Sequence, residues 1–224
     1  MSWSGNPLFS NGLLGSNSRV LELGCGISGI VALILSSKVG RYIASDQGYV
    51  MRFLRDNVER NSFSARSTST HRKSLKKASE VGLTSNIHTA TLDWEHDQVT
   101  TGLLFPDEDP STAKGLNAVI ACDCIYNEAL IEPFMQTCAE ACRLQRRLET
   151  TCPCLCIVAQ QLRSPDVFEF WLRVFHSSFR VWRIPDDLLL DSLKSNSGFV
   201  IHVGMLRDLD FVEGAATTST TSSS

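Results

Sequence analysis

Residues 20–30 read Val20-Leu21-Glu22-Leu23-Gly24-Cys25-Gly26-Ile27-Ser28-Gly29-Ile30. The run at 20–23 predicts a short strand, and Gly24, Gly26 and Gly29 then satisfy the spacing Gly-x-Gly-x-x-Gly. Residues 27–39 predict a helix, with Ile30, Ile34 and Leu35 on one face. Glycines between a strand and a helix allow a tight turn and close backbone approach to a ligand, and a helix N-terminus offers free N–H groups. Alone, the motif also fits a nicotinamide or flavin dinucleotide, or a turn that serves only strand–helix packing.

Outward from this turn the rhythm repeats. Residues 41–45 predict a second strand ending at Asp46, and 50–61 a helix with Phe53, Leu54 and Val58 apolar. Strands follow at 87–92, ending at Asp93-Trp94, and at 117–122, ending at Asp123-Cys124-Ile125-Tyr126. A long helix spans 128–147, a strand 154–160, a helix 166–175, and two last strands 179–184 and 199–206. Alternating strands and helices predict an α/β fold with a mostly parallel, Rossmann-like sheet of seven strands and helices on both faces. The last two strands pair antiparallel, because 185–198 is too short for a crossover helix. Residues 62–86 form a polar insertion rich in Ser, Thr, Lys and Arg, with a possible basic helix at 73–77. Residues 95–115 form a polar loop broken by Pro106 and Pro110, and 213–224 a disordered tail rich in Ser and Thr.

Composition narrows the function classes. The 224 residues carry 21 Lys+Arg against 24 Asp+Glu, a net charge of −3, so bulk charge does not hold this chain to nucleic acid. An apolar content of 43% supports a buried core, and no run approaches the roughly 18 apolar residues of a membrane span. The start of the chain has neither the basic nor the apolar region of a secretory signal. The eight cysteines fall mostly within strand-like runs or one helix, and their close pairs are Cys-x-Cys, so they read as buried thiols of a reducing cytosol or nucleus rather than disulfides or a metal site.

Three features direct the glycine turn toward S-adenosylmethionine. Glu22 ends the first strand, where a carboxylate repels a dinucleotide's phosphates and attracts a ligand with an ammonium and a sulfonium. Asp46 follows Gly24 by 22 residues and ends the second strand, where it can accept both ribose hydroxyls. None of Tyr42, Tyr49 and Tyr126 has a lysine four residues later, which removes one common dehydrogenase arrangement.

The stretch 20–30 resembles motif I of class I, seven-stranded S-adenosylmethionine methyltransferases. Asp123-Cys124-Ile125-Tyr126 resembles the Asp-x-x-Tyr motif of the protein-lysine branch called methyltransferase family 16, and Leu92-Asp93-Trp94 is similar to that branch as well. The long motif I is most similar to fungal ribosomal-protein lysine methyltransferases, and the resemblance covers about residues 18–206. It implies a methyltransferase domain over 18–212. It also implies a longer segment before motif I that helps close the site, of which residues 1–17, with Trp3 and Phe9, read as a remnant.

The resemblance implies the following roles. Gly24, Cys25 and Gly26 lie against the methionine part of the cofactor, and Glu22 balances its positive charge or caps a backbone N–H. Asp46, with Gln47 beside it, holds the ribose or is only a surface turn carboxylate. Asp93 accepts from the adenine amine, while Trp94 packs on the ring or fills core. Cys122 lines the adenine pocket or fills core. Asp123 and Tyr126 are the catalytic candidates: Asp123 either hydrogen-bonds the incoming lysine amine or caps the strand and touches only the cofactor, and Tyr126 walls the channel. The acceptor is a ribosomal or translation-related protein; no metal, direct nucleic-acid readout or membrane is implied, and the chain is expected to be a cytoplasmic monomer. Another acceptor on the same fold, and a shortened relative that binds without transferring a methyl group, remain open at this point.

Overall fold

Strand-forming runs, the first four of them closed within two residues by Gly or Asp, become strands of a single sheet. They are β1 (Arg19–Leu23), β2 (Arg41–Asp46), β3 (Ile87–Thr91), β4 (Ala118–Cys122), β5 (Leu155–Gln161), β6 (Phe179–Arg183) and β7 (Phe199–Leu206). The computed structural model describes residues 6–64, 86–109, 113–146 and 153–207. The strand order is β3-β2-β1-β4-β5-β7-β6. β1 pairs in parallel with β2 and β4, β2 with β3, and β4 with β5. β7 runs antiparallel to β5 and β6, as its short connection from β6 requires. That connection holds three single turns of 3-10 helix.

The helices are α1 (Pro7–Ser10), α2 (Ile30–Leu35), α3 (Gly48–Ser64), α4 (Thr101–Leu104), α5 (Ile131–Arg146) and α6 (Pro165–Ser178). α2 starts three residues later than the sequence predicts. Gly24, Gly26 and Gly29 have φ of 63, 65 and 60°, and a left-handed residue cannot sit inside a right-handed helix. The apolar stripe of α2 also points outward: Ile30 is 59% exposed and Ile34 52%, while Ala32 is buried. Small residues make the close contact here. A Cβ on Gly29 would lie 2.9 Å from Val58 Cγ2 and 3.1 Å from Leu54 Cδ1, so α2 approaches α3 through Gly29 and Ala32.

Packing differs on the two sheet faces. On one, α5 and α6 bury Phe134, Cys138, Cys142, Trp171 and Phe175 against Leu21, Leu23, Val119, Cys156 and Val158. On the other, Ala32, Met51, Leu54 and Val58 meet Val20, Tyr42, Ala44 and Ile120, and Leu14 joins them from the N-terminal segment. The described cysteines are all free thiols.

α3 continues through Ser64, into the start of the predicted insertion; residues 65–85, with the 73–77 run, lie outside the described residues, as do Trp3 and the tail from 208. The polar loop is tied down. Arg19 and Arg41, partners across β1 and β2, both reach Glu108, at 2.8 and 2.9 Å, and lie over the Phe105 ring. Among the described residues no helix is long and apolar enough to cross a membrane.

Candidate active site

Adjacent parallel strands β1 and β4 send their connections to opposite faces, and such a switch point leaves a crevice at the strands' carboxyl ends. A cavity of about 260 Å³ lies there. Gly24 and Gly26 line it after β1, Asp46 and Gln47 after β2, Asp93 and Trp94 after β3, and Asp123 and Tyr126 after β4.

The glycine turn is built for close approach. A Cβ on Gly24 would stand 2.7 Å from Cys124 Sγ and 3.1 Å from Trp94 Cζ2, while one on Gly26 would meet nothing within 4 Å. The Gly26 N–H donates to Asp46 Oδ2 at 2.8 Å, and the Gln47 N–H to Oδ1 at 2.7 Å. The Cys25 N–H donates to Ser45 O. The turn's amides at Cys25 and Gly26 are therefore already engaged. An ionised carboxylate offers about four acceptor sites, so Asp46 keeps capacity for a ligand's hydroxyls.

Asp93 is fixed as firmly. Its Oδ1 accepts from Glu95 N at 3.0 Å and lies 3.2 Å from His96 Nδ1, and its Oδ2 accepts from Gln47 Nε2 at 3.1 Å. The Glu95 amide, then the His96 ring, hold its carboxyl below the usual carboxylate range. Trp94 packs on Phe134 with centroids 5.0 Å apart, so it serves both cavity wall and core.

Three sequence candidates stand apart from the cavity lining. Glu22 is 2% exposed on the α3 side of the sheet and accepts a hydrogen bond from the Tyr42 hydroxyl at 2.9 Å. Burial pushes its pKa up to about 7, against the lowering effect of the Tyr42 bond, with Asp46 adding to the rise. Cys25 is half-buried, with its Sγ 3.6 Å from Gly26 O. Cys122 packs with the α2–α3 core, and burial raises its thiol to about 11. Cys124 lines the cavity instead, its thiol pushed up to about 12 by burial. The inversion comes from Asp123, whose φ of 59° is left-handed, so simple strand alternation stops there.

Asp123 donates its N–H to Ala159 O at 2.8 Å, prolonging the β4–β5 ladder. Its Oδ2 is paired with Arg163 Nη2 at 2.5 Å. Tyr126 is 65% exposed on the rim. Tyr49, Val50, Glu95 and Leu130 complete the described wall, with Leu92 beside Asp93; sequence spacing gave no sign of the first four, nor of Arg163, because each is brought in by the fold.

Chemically, the described residues of the lining combine four carboxylates, Asp46, Asp93, Glu95 and Asp123, and include no Lys or Arg. Phosphates would meet repulsion there and find the Cys25 and Gly26 amides engaged. A nucleoside with cationic character meets hydroxyl and amine acceptors, an aromatic wall and a glycine cradle.

Fold and cavity together define a Rossmann-like methyltransferase fold. Among solved structures, the methyltransferase domain of bacterial-CtHen1-CN matches with a TM-score of 0.53 at 15% identity, covering 89% of this chain and 93% of that one. The S-adenosylmethionine-dependent methyltransferase SibL matches with a TM-score of 0.51 at 13% identity, covering 85% of this chain and 50% of that one. At such identities these likenesses concern the fold alone. The chain belongs to the lysine methyltransferase family, whose pattern matches residues 11–166. It is 34% identical over 161 residues to Ribosomal lysine N-methyltransferase 5 of Kluyveromyces lactis, covering 68% of this chain and 48% of that protein. To the Saccharomyces cerevisiae protein of the same name it is 30% identical over 198 residues, covering 77% and 53%. The chain thus spans about half the length of the curated relatives it matches.

Proposed function

We propose that this chain is an S-adenosylmethionine-dependent protein-lysine N-methyltransferase acting on a ribosomal or translation-related protein. The observation that carries the reading is a cavity at the β1–β4 switch point whose described lining has four carboxylates and no Lys or Arg, with glycine-turn amides already bonded. Family membership and relatives named for ribosomal lysine methylation support the choice of acceptor.

When bound, S-adenosylmethionine supplies a methyl group on a sulfonium. The chain's residues position and polarise. Asp46 accepts from the ribose hydroxyls, Asp93 from the adenine amine, and Trp94 and Leu92 wall the ring. Gly24 and Gly26 admit the methionine part. Glu22 adds negative charge behind the turn in its ionised form, with Cys25 and Cys122 packed around it. The acceptor lysine arrives from the β4 side, past Tyr126, with Asp123 in reach of its amine. Its free pKa is about 10.4, so the amine must lose a proton before it attacks. Holding it in line and out of water supplies much of the rate. A cytoplasmic monomer fits this reading, with the free thiols of the described residues supporting a reducing compartment.

The test is transfer of labelled methyl groups to ribosomal-protein fractions, with and without nuclease. Label in lysine of a nuclease-resistant protein is expected. Label residing in RNA contradicts the reading, and S-adenosylhomocysteine binding without any transfer favours a binding relative.

A further inference from the structure

Four carboxylates around an amine acceptor create a conflict. An anion within about 4–6 Å of an ammonium favours its charged form by roughly 1–3 pH units, whereas methyl transfer needs the neutral amine. Asp123 faces the conflict most directly. It stands after β4, where the reading above brings the acceptor in, while Asp46 and Asp93 stand after β2 and β3.

Among the described residues Asp123 is also the cavity carboxylate with an arginine on it. Its Oδ2 pairs with Arg163 Nη2, and the same Nη2 donates to Gln161 Oε1 at 2.9 Å. Its Oδ1 lies 3.4 Å from the Gln161 N–H. Both partners come from the end of β5 and the start of the loop to α6, so the neighbouring strand sets where the carboxylate points. Its left-handed backbone aims the side chain at them. Strained backbone of this kind persists where surrounding contacts over-determine it.

We propose that Arg163 is a positioning residue for methyl transfer. Its guanidinium holds the Asp123 carboxylate at the cavity and offsets its charge, so that the carboxylate accepts a hydrogen bond from the acceptor amine without trapping it as ammonium. In the step assisted, one ammonium N–H bond breaks, its electron pair stays on nitrogen and the proton leaves to solvent. The inference rests on the lysine methyltransferase reading above.

Among the described residues, the other charged or titratable groups that line the cavity are Asp46, Asp93, Glu95, Tyr49, Cys124 and Tyr126. His96 offsets Asp93 when protonated, and Glu128 and Glu132 line the adjoining groove. Arg163 is 53% exposed at its side chain, so its replacement spares the core.

The experiment compares wild type, Arg163→Ala and Arg163→Lys, with labelled methyl transfer to a ribosomal-protein fraction followed from about pH 6.5 to 9.5. Calorimetry of S-adenosylhomocysteine binding runs alongside. The rising limb of the Arg163→Ala profile should move up by about one pH unit, making it about 10-fold slower near neutral pH and close to wild type at the alkaline end. Millimolar guanidinium should restore the rate, Arg163→Lys should retain the wild-type limb, and S-adenosylhomocysteine affinity should stay within about 2-fold. An Arg163→Ala profile that superimposes on wild type overturns the proposal. So does a loss equal at every pH that guanidinium does not relieve. A wild-type chain that binds S-adenosylhomocysteine but labels no protein overturns the function and this inference together, so the two failures are distinguishable.

Discussion

The two faces of the sheet are built by different rules. The α5–α6 face is a thick, largely apolar layer in which Trp171, Phe175 and Phe179 are fully buried, their rings 5.1–5.2 Å apart in tilted and edge-on contact. The α2–α3 face is thinner. It leaves Ile30, Ile34 and Phe53 more than half exposed, and it buries a carboxyl, Glu22, beneath the glycine turn. The larger buried cluster lies on the first face, and the second buries a carboxyl next to the glycine turn.

Changes on each side sharpen that contrast. Trp171→Ala opens a cavity in the thick layer and should cost about 3–5 kcal/mol, lowering Tm by about 6–20 °C in thermal unfolding, while S-adenosylhomocysteine affinity below the transition is retained. Loss of that affinity in the folded variant would break the division between the faces.

Glu22 should show the opposite sign of effect. Its folded pKa, about 7, lies above its ordinary value of 4.5, so between those values the folded chain holds a proton the unfolded chain has released. Stability from this group is therefore fully present below about pH 4.5 and is lost as pH rises through about 7. Glu22→Gln should flatten that fall and stabilise the chain by about 3 kcal/mol above pH 7, as read by denaturant unfolding at several pH values. An unchanged pH dependence would show that Glu22 is not buried as described.

Gly24→Ala places a methyl at a left-handed φ and against Cys124 and Trp94. It should weaken S-adenosylhomocysteine binding about 100-fold by calorimetry, equivalent to about 2.7 kcal/mol. The smallest effect is expected at Ile34→Lys. This exposed site on the thin face should change stability by no more than about 0.5 kcal/mol in denaturant unfolding, despite an apolar-to-charged swap.

Much of the parallel sheet is legible because β1 to β4 are short apolar runs closed by Gly or Asp, and the carboxylates that follow these strands, Asp46, Asp93 and Asp123, fall in the cavity for that reason. What escapes the sequence depends on backbone inversion or on strand register. Gly24, Gly26 and Gly29 delay α2, and Asp123 brings Cys124 rather than Cys122 to the cavity wall. Glu22 finds Tyr42 only because β1 and β2 lie side by side, and Arg163 reaches Asp123 from the far end of β5. No local spacing encodes these pairs.

The central claim is that the glycine turn and Asp46 form a nucleoside site. Calorimetric titration of S-adenosylhomocysteine into the purified chain tests it most directly, with Asp46→Ala beside it. Micromolar binding that the variant loses is the predicted result. A folded chain that binds nothing, or binds equally well without the Asp46 carboxylate, would contradict it.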